Sequence, residues 1–356
     1  MDYQFFQALE QSGSVHLSRG WQPQHLVLNN SNEKNTAEQV SAILPLYLKQ
    51  HSWGEYVFDW SWADAYQQYN LAYYPKLVAT IPFTPVTTNK LLTKQQHHQQ
   101  QQCFEHLSNH CQQNNINSWH LLFSPKIDLA KLELSEQVMQ RTGVQFHWFN
   151  ENYQSFEHFL AKFTARKRKN TRKERQSIKQ QKVHIRQVQG KNISTQELEF
   201  FYLTYQLTYL KNGHQPHLSF EFFQQIFNSL ADNILLIIAK QNNKDIACAL
   251  FFYDQENLYG RYWGCTEKIN NLHFELCYYQ GIDFCIQQGI KRFNPGTQGE
   301  HKIQRGFQAV FTYSYHWLKQ PQFQHAIKDF CLREQRQVEK YQQQCLKALP
   351  FKCQQQ

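Results

Sequence analysis

The densest run of residues able to do chemistry is Asn294-Pro295-Gly296-Thr297-Gln298-Gly299-Glu300-His301-Lys302, with Arg305 just beyond it. A carboxylate beside an imidazole offers a general base in Glu300 or His301. Asn294, Gln298, Lys302 and Arg305 offer hydrogen bonds and positive charge to a substrate. The run follows a short apolar segment, Ile290–Phe293, and reads as a strand passing into a loop that opens a helix near His301. In an open α/β sheet, ligands sit beyond the carboxyl ends of the strands. A helix start at that place presents backbone N–H groups to an anion. No G-x-x-x-x-G-K-S/T pattern occurs, so the loop is not a P-loop. Its bland alternative is a glycine-dependent turn with a salt-bridged Glu-His pair.

Other groups compete with this run. Glu275 is an alternative base and His273 a further polar contact, both at a helix start, where the helix dipole alone would favour an acid. Arg261, Tyr262 and Trp263 end a strand. They read either as a substrate wall or as a core strand whose Arg reaches water. Asp59, Trp60, Trp62 and Asp64 read as structural, with Asp59 the N-cap of a short helix. Cys103, His106 and His110 have helical spacing, but no fourth ligand is evident in a Gln/His-rich tract, and no metal is expected.

Charge is the next signal. Between Lys162 and Lys191 there are twelve Lys/Arg and one acid, Glu174, so this block carries +11 of the chain's net +9 and the remainder sums to −2. Arg166, Lys167, Arg168, Lys169, Arg172, Lys173 and Arg175 fall on one helix. Arg168/Arg172 and Lys169/Lys173 are like-charged i,i+4 pairs, which cost a few tenths of a kcal/mol each. An anion bound there would offset that cost: tRNA, a CoA phosphate, a nucleotide-linked precursor or an anionic membrane surface. A merely solvated face is the alternative.

These groups need elements to position them. Gln39–Leu48, Tyr56–Phe58, Lys76–Ile81, Trp119–Phe123 and Val144–Phe149 read as strands. Helices are expected over Trp60–Tyr69 and Thr93–Asn114, with a rigid loop at Pro82–Val86. The long basic helix then leads to a strand at Val183–Val188. Two helices follow, Thr195–Lys211 and Ser219–Leu230. Three consecutive strands come next, Ile234–Lys240, Asp245–Tyr253 and Leu258–Gly264. His273–Gln288 is helical, with Gly289 as its C-cap. The tail from Pro321 is helical and Gln-rich. The order of parts repeats along the chain, which points to two related α/β halves. The expected boundaries are 1–150, 151–335 and a tail at 336–356.

A chain of 356 residues is ample for a sizeable core. No run approaches the length of a membrane-spanning helix, and the start lacks a basic then apolar leader. Nine cysteines, an odd number without a C-x-x-C pair, fit reduced thiols better than a disulfide framework. A cytoplasmic location is expected.

Four segments carry a family resemblance: His51–Trp60 with Trp62, Ala63 and Asp64; Tyr73–Leu77 with Pro82–Val86; Arg166–Asn170 with Arg172; and Gly260–Gly264 leading to Leu272–Glu275 and Asn294–Ile303. Together they resemble the FemAB-like predicted N-acyltransferases of the GNAT superfamily over nearly the whole chain. One departure is Thr87-Thr88-Asn89, where a Gly-Pro turn is expected. The resemblance implies mixed α/β sheets in two tandem GNAT-like halves, and transfer of an acyl group to an amine. Relatives include Fem-type and leucyl/phenylalanyl transferases, which use aminoacyl-tRNA. The basic helix followed by Val183–Val188 is similar to the start of the Fem fold. The GNAT pyrophosphate pattern is absent from Gly264–Asn271, which weakens acetyl-CoA as donor. Acyl-CoA or aminoacyl-tRNA is then a co-substrate, with no tightly bound cofactor. Such a transfer needs a base, for which Glu300, His301 and Glu275 are the candidates. It also needs an oxyanion or phosphate contact from loop N–H groups and Arg305. The competing reading is a non-catalytic tRNA-binding protein using the basic helix.

Overall fold

A computed structural model describes residues 2–29, 40–93, 96–297 and 299–352. The fold is mixed α/β, as expected, and divides into two compact units. Unit 1 comprises Gly13–Val144 and Phe311–Tyr341; unit 2 comprises Asp2–Ser12, Gln145–Val310 and Gln342–Gln356.

Unit 1 is built on Trp21–Pro23, Tyr47–Lys49, Lys76–Ala79, Ser118–Ser124 and the end of Gln308–Leu318, hydrogen-bonded in that order. Every neighbour is antiparallel except Lys76–Ala79 beside Ser118–Ser124. That parallel pair needs a crossover, which the helix Gln96–Gln113 supplies. Its apolar positions explain its seat: Cys103, Phe104, Leu107 and Cys111 are buried in one cluster with Trp119 and Leu121. A separate small sheet joins Leu26–Asn29, Val40–Leu44 and Leu92–Thr93.

Unit 2 follows the same plan. His184–Gln189, Ile234–Gln241, Lys244–Tyr253 and Asn257–Cys265 form an antiparallel meander. Asn257–Cys265 then pairs in parallel with Arg292–Asn294, joined by the helical segment Leu272–Gln288, and the end of Met139–Phe149 closes the row antiparallel. The meander strand Ile234–Ala239 is fully buried, which its unbroken apolar run requires. Helix Thr195–Lys211 packs on Asn257–Cys265 and Lys244–Tyr253, and Phe223 of the helix Phe220–Ser229 meets Tyr262. The first opens with a capping box between Ser194 and Glu197. Gly264 lets the first helix lie against the strand: a Cβ there would stand 2.1 Å from the Thr204 carbonyl oxygen.

Several expectations are corrected. Pro45 lies between two strands, Val40–Leu44 and Tyr47–Lys49, where one was expected. Tyr56–Phe58 is not a strand: Tyr56 has a left-handed φ of 61°, and Phe58 is exposed between the buried Glu55 and Asp59. The seven basic residues do lie on one helix, Ala165–Gln180, which a separate short helix, Phe156–Ala161, precedes. Gln308–Leu318 is an unanticipated strand. The final helix runs Pro321–Lys347. Among the described residues no helix is long and apolar enough to cross a membrane.

Candidate functional site

The site grows from one strand and one helix of unit 2. Asn257–Cys265 carries a β-bulge: Gly260 pairs with Phe251 and Tyr262 with Leu250, leaving Arg261 as the extra residue. On its other side the strand pairs only through Asn257, Leu258 and Tyr259 before the parallel partner ends at Asn294. Among the described residues, no strand takes the edge from Gly260 to Cys265 on that side. Backbone N–H groups on that side therefore lack a strand partner, while the Trp263 carbonyl accepts from Thr208 Oγ1 at 2.8 Å and the Cys265 carbonyl from Lys211 Nζ at 3.2 Å.

The helical segment Leu272–Gln288 faces this edge. Its turn Glu275–Tyr279 is widened to i→i+5 bonding, a distortion common at functional sites. Trp263, His273, Phe274, Tyr278 and His301 make a continuous set of rings. His273 lies 5.3 Å from Trp263 and from Tyr278, and 6.2 Å from His301, between ring centroids. His301 is exposed, and its Nε2 is 2.7 Å from the Tyr278 hydroxyl oxygen. Its Nδ1 has no hydrogen bond among the described residues. Gly299 is required here: a Cβ would fall 2.0 Å from the His301 ring.

Burial, and then nearby cations, lower the pKa of both imidazoles. Burial, then the nearby His301, Lys302 and Arg305, push His273 down to about 4. Burial, then Arg305 and Lys302, lower His301 from its usual range. Lys302 is buried, donates to the Gly296 carbonyl oxygen at 2.6 Å, and is pushed down to about 7 by that burial. Asn294 is also buried. Its side-chain oxygen accepts from the Gly296 amide at 3.0 Å and its amide reaches Gln145, so it shapes the loop from within.

The other expected site residues divide. Arg305 is buried, donates to both Glu174 oxygens at 2.9 Å, and lies 3.5 Å over the Phe274 ring. Glu275 is buried and bonded by Arg175 at 2.9 Å, and Arg175 also holds Asp283 at 2.6 Å. These groups brace the ring cluster. Tyr262 points into the core against Tyr205 and Phe223, while Arg261 and Trp263 remain half-buried. Glu300 is exposed next to His301. Gln298 lies outside the described residues.

The basic helix splits likewise. Arg172 pairs with Glu157, Lys167 with Gln304, and Arg175 with the acids just named. Arg168 is half-buried. Arg166, Lys169 and Lys173 share an exposed stripe and make no hydrogen bond or ion pair among the described residues. Sequence reasoning missed Tyr278 and Glu174 as organisers. The signal for Glu174 was its standing as the single acid in the basic block; it accepts from Tyr279 as well as from Arg305. Cys103 is buried while His106 and His110 are exposed, so these three do not converge.

The bulged strand, open edge and widened helix turn invite comparison with known folds. The chain belongs to the FemAB-like family. The family model, described as peptidoglycan biosynthesis/recognition, matches residues 1–353. Among solved structures, FemX is 9% identical and aligns over 90% of this chain and 93% of its own, with a TM-score of 0.52. The L-PGS of Bacillus licheniformis is 11% identical over 92% and 96%, with a TM-score of 0.52. A conserved protein of Bacteroides thetaiotaomicron VPI-5482 is 12% identical over 88% and 92%, with a TM-score of 0.53. At such identities the likeness is one of fold. No curated protein matches in sequence.

Proposed function

We propose that the chain is an N-acyltransferase whose chemistry is done in unit 2, moving an acyl or aminoacyl group from an activated donor to an amine. The observation that carries this reading is His301: exposed, uncharged at neutral pH, hydrogen-bonded to Tyr278, and set in a ring-lined site beside an open strand edge. Acyl transfer requires that the attacking amine lose a proton, and His301 is the accessible base. Glu275, committed to Arg175, drops out of that role, and Arg305, committed to Glu174, drops out as oxyanion partner. The remaining donors are backbone N–H groups of the open edge beyond Tyr259, where the tetrahedral oxyanion would find fixed dipoles. The acyl carbonyl lies along that edge, and Trp263, His273 and Phe274 exclude water from it.

The stripe Arg166, Lys169, Lys173 supports an anionic donor, acyl-CoA, aminoacyl-tRNA or a nucleotide-linked precursor. FemX and L-PGS, which share the fold, and the family's description are consistent with precursors of wall or lipid as acceptors. Lysine stripes also favour a second reading, a non-catalytic tRNA-binding protein. Thermal shift with acetyl-CoA, longer acyl-CoAs and aminoacyl-tRNA distinguishes donors. Saturable stabilisation by one of these that is reduced in Trp263→Ala supports the transferase. Salt-sensitive tRNA binding with wild-type behaviour in both Trp263→Ala and His301→Ala supports the rival.

A further inference from the structure

The loop His51–Trp60 of unit 1 turns its side chains the wrong way for a free surface. Ser52, Glu55 and Asp59 are buried at 5%, 2% and 2% exposure, whereas Trp53, Phe58 and Trp60 stand at 51%, 64% and 36%. Their organiser is Lys76, fully buried on the central strand of the unit. Its Nζ donates to Ser52 Oγ at 2.8 Å, to Glu55 Oε2 at 2.8 Å and to Asp59 Oδ2 at 2.5 Å. The Tyr73 hydroxyl donates to the same Asp59 oxygen at 2.6 Å. Asp59 occupies the N-cap position of Trp60–Gln68 but makes no side-chain cap bond, which corrects the expected capping role.

These bonds use one oxygen of each carboxylate. Glu55 Oε1 and Asp59 Oδ1 are buried with no hydrogen-bond partner among the described residues, and so are Trp62 Nε1 and the Tyr66 hydroxyl. All four belong to one neighbourhood. Tyr66 packs on Tyr73 at 5.3 Å, and Trp62 packs on His316 at 4.9 Å and on His120 at 6.2 Å. His120 and Tyr73 also approach each other, with Nε2 and the hydroxyl oxygen 3.5 Å apart. Interiors rarely leave such groups unpaired, because each then loses its hydration without replacement. This part of the unit thus holds two acceptors and two donors without a partner among the described residues.

We propose that this centre binds a small primary amine carrying a nearby oxygen, an amino alcohol in chemical class. The ammonium donates to Glu55 Oε1 and Asp59 Oδ1, and the oxygen accepts from Trp62 Nε1 and the Tyr66 hydroxyl. Charge agrees. Burial, only partly opposed by Glu55, pushes Lys49 down to about 6, so it is neutral at neutral pH. With Lys76 charged and both carboxylates ionised, the centre carries one net negative charge, which a monocation cancels. His120 and His316, both pushed down by burial, contribute none, and Arg141 is committed to Glu334. Burial raises Glu55 to about 7, so binding strengthens as the pH rises past neutrality. No group of His, Cys, Asp or Glu suited to a metal ion occurs among the described residues.

The test is the melting temperature of the full chain at constant ionic strength and about pH 8, titrated with ethanolammonium, propylammonium and tetramethylammonium chlorides. The expected result is a saturable rise with ethanolammonium, a weaker one with propylammonium, which lacks the oxygen, and none with tetramethylammonium, which lacks N–H. Tyr66→Phe removes a buried hydroxyl that has no partner, so it does not lower the ligand-free melting point, and it weakens ethanolammonium by about 5-fold. Asp59→Asn removes the response; should that variant fail to fold, Tyr66→Phe and Trp62→Phe carry the comparison. No saturable response, an equal response to tetramethylammonium, or unchanged affinity in Tyr66→Phe overturns the proposal.

Discussion

His301 is placed so that its proton chemistry can be read directly. Burial and two nearby cations lower its pKa, so its base form persists across neutral pH and is lost only below the ordinary histidine range. The acid limb of kcat/KM is therefore expected below about pH 6.5, the ordinary value. Tyr278→Phe removes the hydrogen bond that fixes the ring and is expected to lower kcat by about 10-fold with KM little changed. A steady-state pH series on the two proteins checks both outcomes. At this scale the sequence located the loop and its histidine, because an acid, an imidazole and a lysine in a glycine-bounded run form a local signal. It did not assign Arg305 or Glu275 their partners. Those partners, Glu174 and Arg175, stand 131 and 100 residues away, and no spacing rule reports a contact of that kind.

Elements carry a different kind of information. The meander Ile234–Cys265 was legible because each strand is an apolar run bounded by turn residues, with Asn242 and Asn243 both left-handed at the first turn. Gln308–Leu318 escaped notice. Its burial does not follow a clean alternation, since its outer half is buried on consecutive residues from Ser314 to Leu318. The widened turn at Glu275–Tyr279 has no signature in residue type. Gly264 shows how tightly these elements are set. Gly264→Ala drives a methyl into the Thr204 backbone and is expected to destabilise by about 3 kcal/mol. Gly213→Ala, at a left-handed φ of 74° with open space around it, is expected to cost only ~1 kcal/mol. Chemical denaturation of the two variants separates these values; a reversed order would contradict the packing described for the strand and helix.

Across the molecule, the charge surplus has two uses. Half of the basic helix is tied into unit 2 by Glu157, Glu174, Glu275, Asp283 and Gln304, a division that composition could not reveal. The exposed stripe is left for an anion. Arg166→Glu with Lys169→Glu is expected to weaken donor binding and flatten its salt dependence while leaving the melting point near that of the wild type. Binding isotherms over a range of salt concentrations test this. Buried lysines shape stability. Lys90 and Lys302 are pushed to about 7 and Lys49 to about 6, in each case chiefly by burial. Their folded pKa values lie below the unfolded one, so the unfolded chain binds more protons above neutrality and stability increases with pH. The melting temperature should therefore rise between about pH 6.5 and pH 7.5, below the range, about 8.5 and above, where the raised cysteine and tyrosine groups oppose it. A fall over that interval would contradict the assignment.

The most direct test of the central claim is transfer itself. Wild-type protein and His301→Ala are incubated with a radiolabelled acyl or aminoacyl donor, chosen by its thermal shift, and with a panel of amines, and the labelled amide is quantified. The wild type is expected to form the amide, and His301→Ala to lose about 10²-fold or more of that rate at undiminished donor binding. Equal rates in the two proteins would contradict it.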